Sequence, residues 1–273
     1  MSDLMSSGDI DRKIEECHGR KGKAIAFFPV GCTEQHGPFL PVETDTIISE
    51  GISRSLVDSL RGDSHWGYVF PAIGYTPTKS NIHYTGTVSV DEEPLRQYIR
   101  QICGNILRSE FDAIVLLSGH GPVDPSLKEI SFNLVHDQYE RKEAVIKPVF
   151  VLSLYECRSI LEETFGQKSG QHADWRELLL LVHVLGPGYF DRQRVEAICE
   201  FQRNHTFPVI ESPVLGIPVE LRSVQGVMGE PAPALNGDWT ALAKVAWTET
   251  VAHLSHSLKK KLNHLWKEDS ALC

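Results

Sequence analysis

Residues 27–45 of the chain read Phe27-Phe-Pro-Val-Gly-Cys-Thr-Glu-Gln-His-Gly-Pro-Phe-Leu-Pro-Val-Glu-Thr-Asp45. The apolar start of this run, together with the residues before it, predicts a buried strand over 23–30 that enters a loop rich in Gly and Pro. That loop carries Glu34, His36 and Asp45, whose oxygen and imidazole nitrogen atoms are ligands for divalent metals. Glu34 and His36 are two residues apart, so an extended segment would point both side chains the same way. The alternative interpretation is a solvated loop that holds three polar residues by chance.

Apolar runs and amphipathic segments alternate along the rest of the chain. The pattern predicts further strands over 68–73, 111–117 and 145–154, and helices over 10–17, 46–60, 95–109, 125–139 and 238–262. Strands that are apolar throughout and separated by helices indicate a mostly parallel sheet covered on both faces. Residues 183–225 are expected to be irregular with short strands. Because no linker or repeat divides the chain, we expect a single α/β domain over 1–273.

The composition excludes several classes of protein. The chain has 273 residues, is 41% hydrophobic and carries a formal charge of −9, which disfavours nucleic acid as a partner. No apolar run approaches the ~20 residues of a membrane span. The first residues lack the layout of a signal peptide. Six cysteines without a CxxC pair argue against a disulfide framework, and we expect a cytoplasmic protein with reduced thiols.

Two later segments carry side chains suited to a site. The run Ser118-Gly-His120-Gly-Pro122 follows a predicted strand, and open α/β sheets place their sites past the carboxyl ends of parallel strands. The run Gln171-His172-Ala-Asp-Trp-Arg-Glu177 leads into a row of leucines. A carboxylate at Glu177 is costly to bury unless it is paired or bound to metal. The alternative is a helix with a solvated glutamate at its edge.

Residues 31–45 resemble the signature of the creatininase (creatinine amidohydrolase) family, Gly-Ser-x-Glu-Gln-His-Gly-Pro-His-Leu-Pro-x-x-Thr-Asp. Patches at 80–87, 118–122, 172–177 and 226–231 resemble further motifs of that family, so the resemblance extends in patches over about residues 24–235. The chain departs from the family pattern at Cys32, Phe39, Ser118 and Pro122. Of these, Pro122 stands where some members carry a glutamate ligand.

The resemblance implies a three-layer α/β/α sandwich and two divalent metal ions per chain, for which zinc, manganese and iron(II) are all acceptable. By resemblance, Asp45 bridges the ions, Glu34 and His120 complete one site, and His36 belongs to the other. Glu177 is the proposed last ligand, in place of the glutamate missing at Pro122. The family also implies a homo-oligomer, often a hexamer.

The implied activity is metal-dependent hydrolysis of a non-peptide C–N bond in a small cyclic amide or formamide. His172 is the candidate for carrying a proton from the attacking water to the leaving nitrogen. His83 and Trp175 are candidates for lining the substrate pocket, although His83 is equally interpretable as a surface residue and Trp175 as a packing residue.

Three alternatives stay open. The chain could belong to another class of the family, a peptide-processing hydrolase or a hydrolase of cyclic ketones. It could have lost catalysis and serve as a binding or assembly module. Cys32 could be a nucleophile with His36 as its base, although the nearby carboxylates would raise the pKa of a thiol.

Overall fold

The computed structural model describes residues 4–207, 219–234 and 237–268. Its centre is a parallel sheet of four strands, which are β1 (Ala24–Val30), β2 (Trp66–Val69), β3 (Ala113–Ser118) and β4 (Val149–Ser153). The strand order across the sheet is β2-β1-β3-β4, and each neighbouring pair runs parallel. The carboxyl ends of β1 and β3 are therefore adjacent at the middle of one edge.

Eight α-helices occur in the described ranges. They are α1 (Ser7–Gly19), α2 (Thr44–Leu60), α3 (Glu92–Leu107), α4 (Asp124–Glu140), α5 (Arg158–Phe165), α6 (Trp175–Leu185), α7 (Arg192–Asn204) and α8 (Trp239–Glu268). Buried residues of α1, α3 and α4 form the core on one face of the sheet, and those of α2, α5, α6 and α8 form the core on the other. The predicted three-layer α/β/α sandwich is thus confirmed. No helix in these ranges is long and apolar enough to cross a bilayer.

The pleat of β1 explains why its sequence is apolar throughout. Ile25 and Phe27 belong to the core on the α2 and α8 side, whereas Ala26 and Phe28 belong to the core on the opposite side. Successive side chains of a strand point to opposite faces. With helices on both faces, each position of the strand must be apolar.

The predicted elements are present with shifted ends, and the prediction for 183–225 was wrong. Helix α7 lies there, with the Asp191 side chain accepting a hydrogen bond from the backbone N–H of Arg194. Only Ile198 and Phe201 of α7 are buried, so its apolar periodicity is too sparse to read. Residues 208–218 of the predicted irregular stretch lie outside the described residues. The second strand also ends earlier than predicted, at Val69, just before Pro71, which cannot donate to a sheet.

One glycine contact joins α2 to the end of β3. A side chain at Gly119 would place its Cβ 2.4 Å from the carbonyl oxygen of Asp45. The Gly119 backbone N–H also donates to Val30 O at 2.8 Å. This close approach holds the first turn of α2 beside the residue that follows Gly119.

We expect Gly119→Ala to destabilise the protein by about 1–3 kcal/mol, because backbone must move to accommodate the methyl group. Gly104→Ala is the matched control, since a Cβ there would meet only the end of the Arg108 side chain at 4.0 Å. That control should be neutral or more stable by about 0.5–1 kcal/mol, because alanine favours the interior of a helix. Urea denaturation of both variants measures the difference, and equal stability of Gly119→Ala and wild type would contradict this account.

Candidate metal centre

A cavity of about 110 Å³ lies at the carboxyl edge of the sheet. Its lining includes five of the predicted site residues, namely Glu34, Asp45, His120, His172 and Glu177. His36 lies directly behind them, with its side chain fully buried. The structure therefore brings together all of the predicted metal ligands and the predicted proton carrier.

His120 faces two carboxylates. Its Nδ1 is 3.0 Å from Asp45 Oδ2 and 3.2 Å from Glu34 Oε1. Its Nε2 donates to the carbonyl oxygen of Pro77 at 3.1 Å. A carbonyl can only accept, so the proton on Nε2 is fixed and Nδ1 is the atom available to a metal.

His36 presents its other nitrogen in the same manner. Its Nδ1 donates to the carbonyl oxygen of Glu34 at 3.0 Å, and its Nε2 is 3.2 Å from Asp45 Oδ1. The same Nε2 is 3.8 Å from Glu177 Oε2. Asp45 thus directs one carboxylate oxygen to each of two histidines.

His172 is the third histidine of the cluster. Its Nε2 donates to the carbonyl oxygen of Gln35 at 2.6 Å, and its Nδ1 is 3.6 Å from Glu34 Oε1. Its ring centroid lies 4.3 Å from that of His36. The backbone N–H of Met228 donates to His172 O at 2.9 Å, which holds the residue just before α6.

Polar neighbours fix the carboxylates. Glu34 Oε2 accepts hydrogen bonds from Thr78 Oγ1 and from Asn81 Nδ2, the latter at 2.6 Å. Glu177 Oε2 accepts from the backbone N–H of Ala173 at 2.7 Å. These hydrogen bonds fix the orientation of both carboxylates. Residues that surround metal ligands commonly orient them in this way.

The buried carboxylates and histidines of the cluster stabilise each other's charged forms. Burial alone would raise the pKa of Glu34 and of Asp45, but His120 and His36 outweigh it and hold both values well below the ordinary range. Burial would lower the pKa of His36, yet the Asp45 carboxylate raises it to about 10. Burial raises the pKa of Glu177 to about 8, although the His36 charge opposes the rise. Buried carboxylates thus require positive charge among them.

This donor set fits divalent metal. Three groups have ligand atoms that all lie within 4.8 Å of one another, and they are Cys32–Glu34–Asp45–His120, Glu34–His36–His172 and His36–Asp45–Glu177. Carboxylate oxygen and imidazole nitrogen suit zinc, manganese and iron(II). The outward N–H of each histidine is held by a backbone carbonyl, so the inward nitrogen is the atom that would coordinate an ion in place of its proton. Pro122 lines the cavity but offers no side-chain ligand.

The two predicted pocket residues lie outside this lining. The His83 side chain is 65% exposed and is 3.9 Å from Glu220. Trp175 is fully buried, packs against Phe165 at a centroid distance of 5.1 Å, and donates from Nε1 to Lys168 O. Trp175 begins α6 with its side chain in the core, and it is not among the residues that line the cavity.

Several residues that the sequence analysis did not identify line the cavity or orient its carboxylates. Tyr155, Gln171 and Arg222 line the cavity, and Thr78 and Asn81 orient Glu34. Asn81 lies in the patch 80–87 that resembles a family motif, but nothing in the sequence assigned its side chain to the site. Tyr155 and Arg222 have no local pattern, because they reach the cavity from segments far apart in the chain.

The chain resembles known proteins in sequence and in fold. The chain is 33% identical over 97 residues to the mycofactocin precursor peptide peptidase of Mycobacterium ulcerans, which covers 34% of this chain and 38% of that protein. The chain therefore spans well under half the length of this curated relative. A solved structure of creatinine amidohydrolase (creatininase) superposes with a TM-score of 0.73 at 17% identity, covering 95% of this chain and 96% of the other. A creatininase variant described as "Zn-Zn type" superposes with a TM-score of 0.71 at 18% identity, covering 93% and 97%.

The sequence model of one family covers most of the chain. Described as creatinine amidohydrolase, it matches residues 11–254. That range includes all five predicted metal ligands and His172. The chain therefore belongs to the creatininase family of hydrolases.

Proposed function

We propose that this chain is a metal-dependent amidohydrolase that cleaves a non-peptide C–N bond in a small cyclic amide or formamide. The observation that carries the proposal is the common arrangement of His36, His120 and His172. Each donates one ring N–H to a backbone carbonyl and turns its other nitrogen toward buried carboxylates. The small volume of the cavity, about 110 Å³, favours a small substrate.

We assign two groups of ligands. Glu34, Asp45 and His120 would hold one ion, and His36, Asp45 and Glu177 would hold a second. Divalent ions supply Lewis acidity, which polarises a carbonyl group and lowers the pKa of water. Glu177 takes the place of the glutamate that Pro122 cannot provide, and the Ala173 N–H holds its Oε2 beside His36.

His172 is suited to carry the proton. Burial and the nearby His36 lower the pKa of His172 to about 4, so the ring is neutral near pH 7. Because Gln35 O holds the Nε2 proton, Nδ1 has the free lone pair. That nitrogen can accept a proton from the attacking water and return it to the leaving nitrogen.

The structure argues against Cys32 as a nucleophile. Its side chain is fully buried, out of reach of a substrate in the cavity. Burial, with Asp45 and Glu34 close by, raises the pKa of the Cys32 thiol well above its usual range. The convergence of every predicted ligand also argues against an inactive binding module.

Homo-oligomeric assembly and a cytoplasmic location stay predictions.

Peptide processing is the second candidate, and the identity of 33% to a precursor peptide peptidase favours it. A peptide would have to present its scissile bond at the mouth of the cavity. Tyr155, Gln171 and Arg222 are the polar residues of the lining that could contact it.

Elemental analysis of protein purified without chelator should find about two divalent ions per chain. Asp45→Asn should lose both, because Asp45 contributes to both groups, and Glu177→Gln should lose one. Asp191→Asn is the matched control, since asparagine also caps a helix and the residue is remote from the cavity. Retention of the wild-type metal content in Asp45→Asn would overturn the assignment.

The variant His172→Ala should lower kcat by about 10²–10⁴-fold at unchanged metal content, because it removes the proton carrier but no assigned ligand. His83→Ala, an exposed histidine outside the lining, is the control and should keep wild-type kcat. Loss of an ion from His172→Ala would instead make this histidine a ligand with Glu34 and His36. Unchanged turnover would remove it from the mechanism.

Substrate class is tested by measuring kcat/KM for a panel of cyclic amides and formamides beside a panel of short peptides. We expect the small amides to have the higher values, because the cavity has a small volume of about 110 Å³. Asp45→Asn is assayed in parallel to identify hydrolysis by contaminants. Higher values for the peptides would establish peptide processing instead.

A further inference from the structure

Cys32 brings sulfur into the group that we assign to the first ion. It follows β1 directly, is fully buried, and has its Sγ 3.1 Å from Asp45 Oδ2. The donor atoms of Cys32, Glu34, Asp45 and His120 all lie within 4.8 Å of one another. This group has four members, whereas each of the other two groups has three.

The spacing of these atoms suits a tetrahedral site. Metal bonds of about 2.0–2.1 Å to oxygen or nitrogen and about 2.3 Å to sulfur separate tetrahedral ligand atoms by about 3.3–3.6 Å. In the structure, Asp45 Oδ2 is 3.1 Å from Cys32 Sγ and 3.0 Å from His120 Nδ1. His120 Nδ1 is 3.2 Å from Glu34 Oε1. Small side-chain rotations would open these separations to the coordinated values.

The backbone holds the sulfur in this direction. Thr46 Oγ1 donates to the carbonyl oxygen of Cys32 at 3.1 Å. The preceding residue, Gly31, lies so close to α2 that an added Cβ would be 2.4 Å from the backbone nitrogen of Thr46. The turn therefore cannot swing Cys32 away without moving the start of α2, which also carries Asp45.

We propose that Cys32 is a thiolate ligand of the ion held by Glu34, Asp45 and His120, and that it gives this position a preference for zinc over manganese. The proposal rests on the metal-dependent function proposed above. On coordination the S–H bond breaks, a sulfur–metal bond forms, and the proton passes to solvent. A cation held by Glu34 and Asp45 would offset the negative charge of those two carboxylates near the sulfur.

The two ion positions then differ in chemistry. Soft thiolate sulfur selects zinc, whereas carboxylate and imidazole ligands also accept manganese. The His36–Asp45–Glu177 group contains no sulfur.

Cobalt(II) tests this proposal independently of activity. Protein loaded with cobalt should show an intense sulfur-to-cobalt charge-transfer band in the near ultraviolet, and Cys32→Ser should lose that band while still binding cobalt. Serine is smaller than cysteine, can donate to Asp45 as the thiol does, and is the residue of the family signature, so this variant is expected to fold. Cys103→Ser, a buried cysteine of α3 in the core on the other face of the sheet, is the control and should keep the band.

The outcomes separate the two proposals. Bound cobalt without a charge-transfer band in wild type, or a band that persists in Cys32→Ser, overturns the thiolate ligand and leaves the proposed function intact. No cobalt binding by wild type, or equal binding by wild type and Asp45→Asn, overturns both. Competition between zinc and manganese gives a second readout, in which Cys32→Ser should lose more affinity for zinc than for manganese. Equal losses would overturn the proposed preference.

Discussion

The requirement to compensate buried carboxylate charge organises this protein. Asp45 is buried at the first turn of α2, with one oxygen turned to His36 and the other to His120. Charged carboxylates without access to water are costly unless positive groups surround them. The imidazoles meet that requirement, and a divalent cation between the same atoms would meet it more strongly. The fold therefore creates a buried cluster of carboxylates and imidazoles that would favour a bound cation.

The sheet supplies the geometry that this compensation needs. Asp45, His36 and Glu34 follow β1, and His120 follows β3, so the central position of these strands puts all four side chains at one edge. The close approach of Gly119 to Asp45 O brings the first turn of α2 beside the end of β3. Because both strands are covered on both faces, the edge cannot shift without disturbing two cores. The core thus holds the backbone of the site in place, and hydrogen bonds to Glu34 and Glu177 orient those two carboxylates.

The remaining side of the site comes from the second half of the chain. The His172 backbone pairs with Met228, and Gly226 approaches Gln35 so closely that an added Cβ would be 1.8 Å from Gln35 Oε1. Through residues 226–228, these contacts connect the segment before α6 to the loop at residues 31–45. They place His172 and Glu177 against carboxylates that the first half of the chain provides. The chemistry we propose therefore depends on both halves. The first half supplies Glu34, His36, Asp45 and His120, and the second half supplies the remaining proposed ligand, Glu177, and the proposed proton carrier, His172.

The sequence by itself determined the layered parallel fold and which residues of 31–45, 118–122 and 172–177 were candidates for the buried cluster. Those features are local, since apolar continuity reports a strand buried on both faces and donor atom types report metal chemistry. The sequence did not determine the direction of Trp175, the distance of His83 from the cavity or the existence of α7. Nor did it identify Thr78, Asn81 and Tyr155 as neighbours of the site. Tertiary packing alone decided these, because the direction in which a side chain points at a helix start or in a loop depends on which distant segment fills the space beside it.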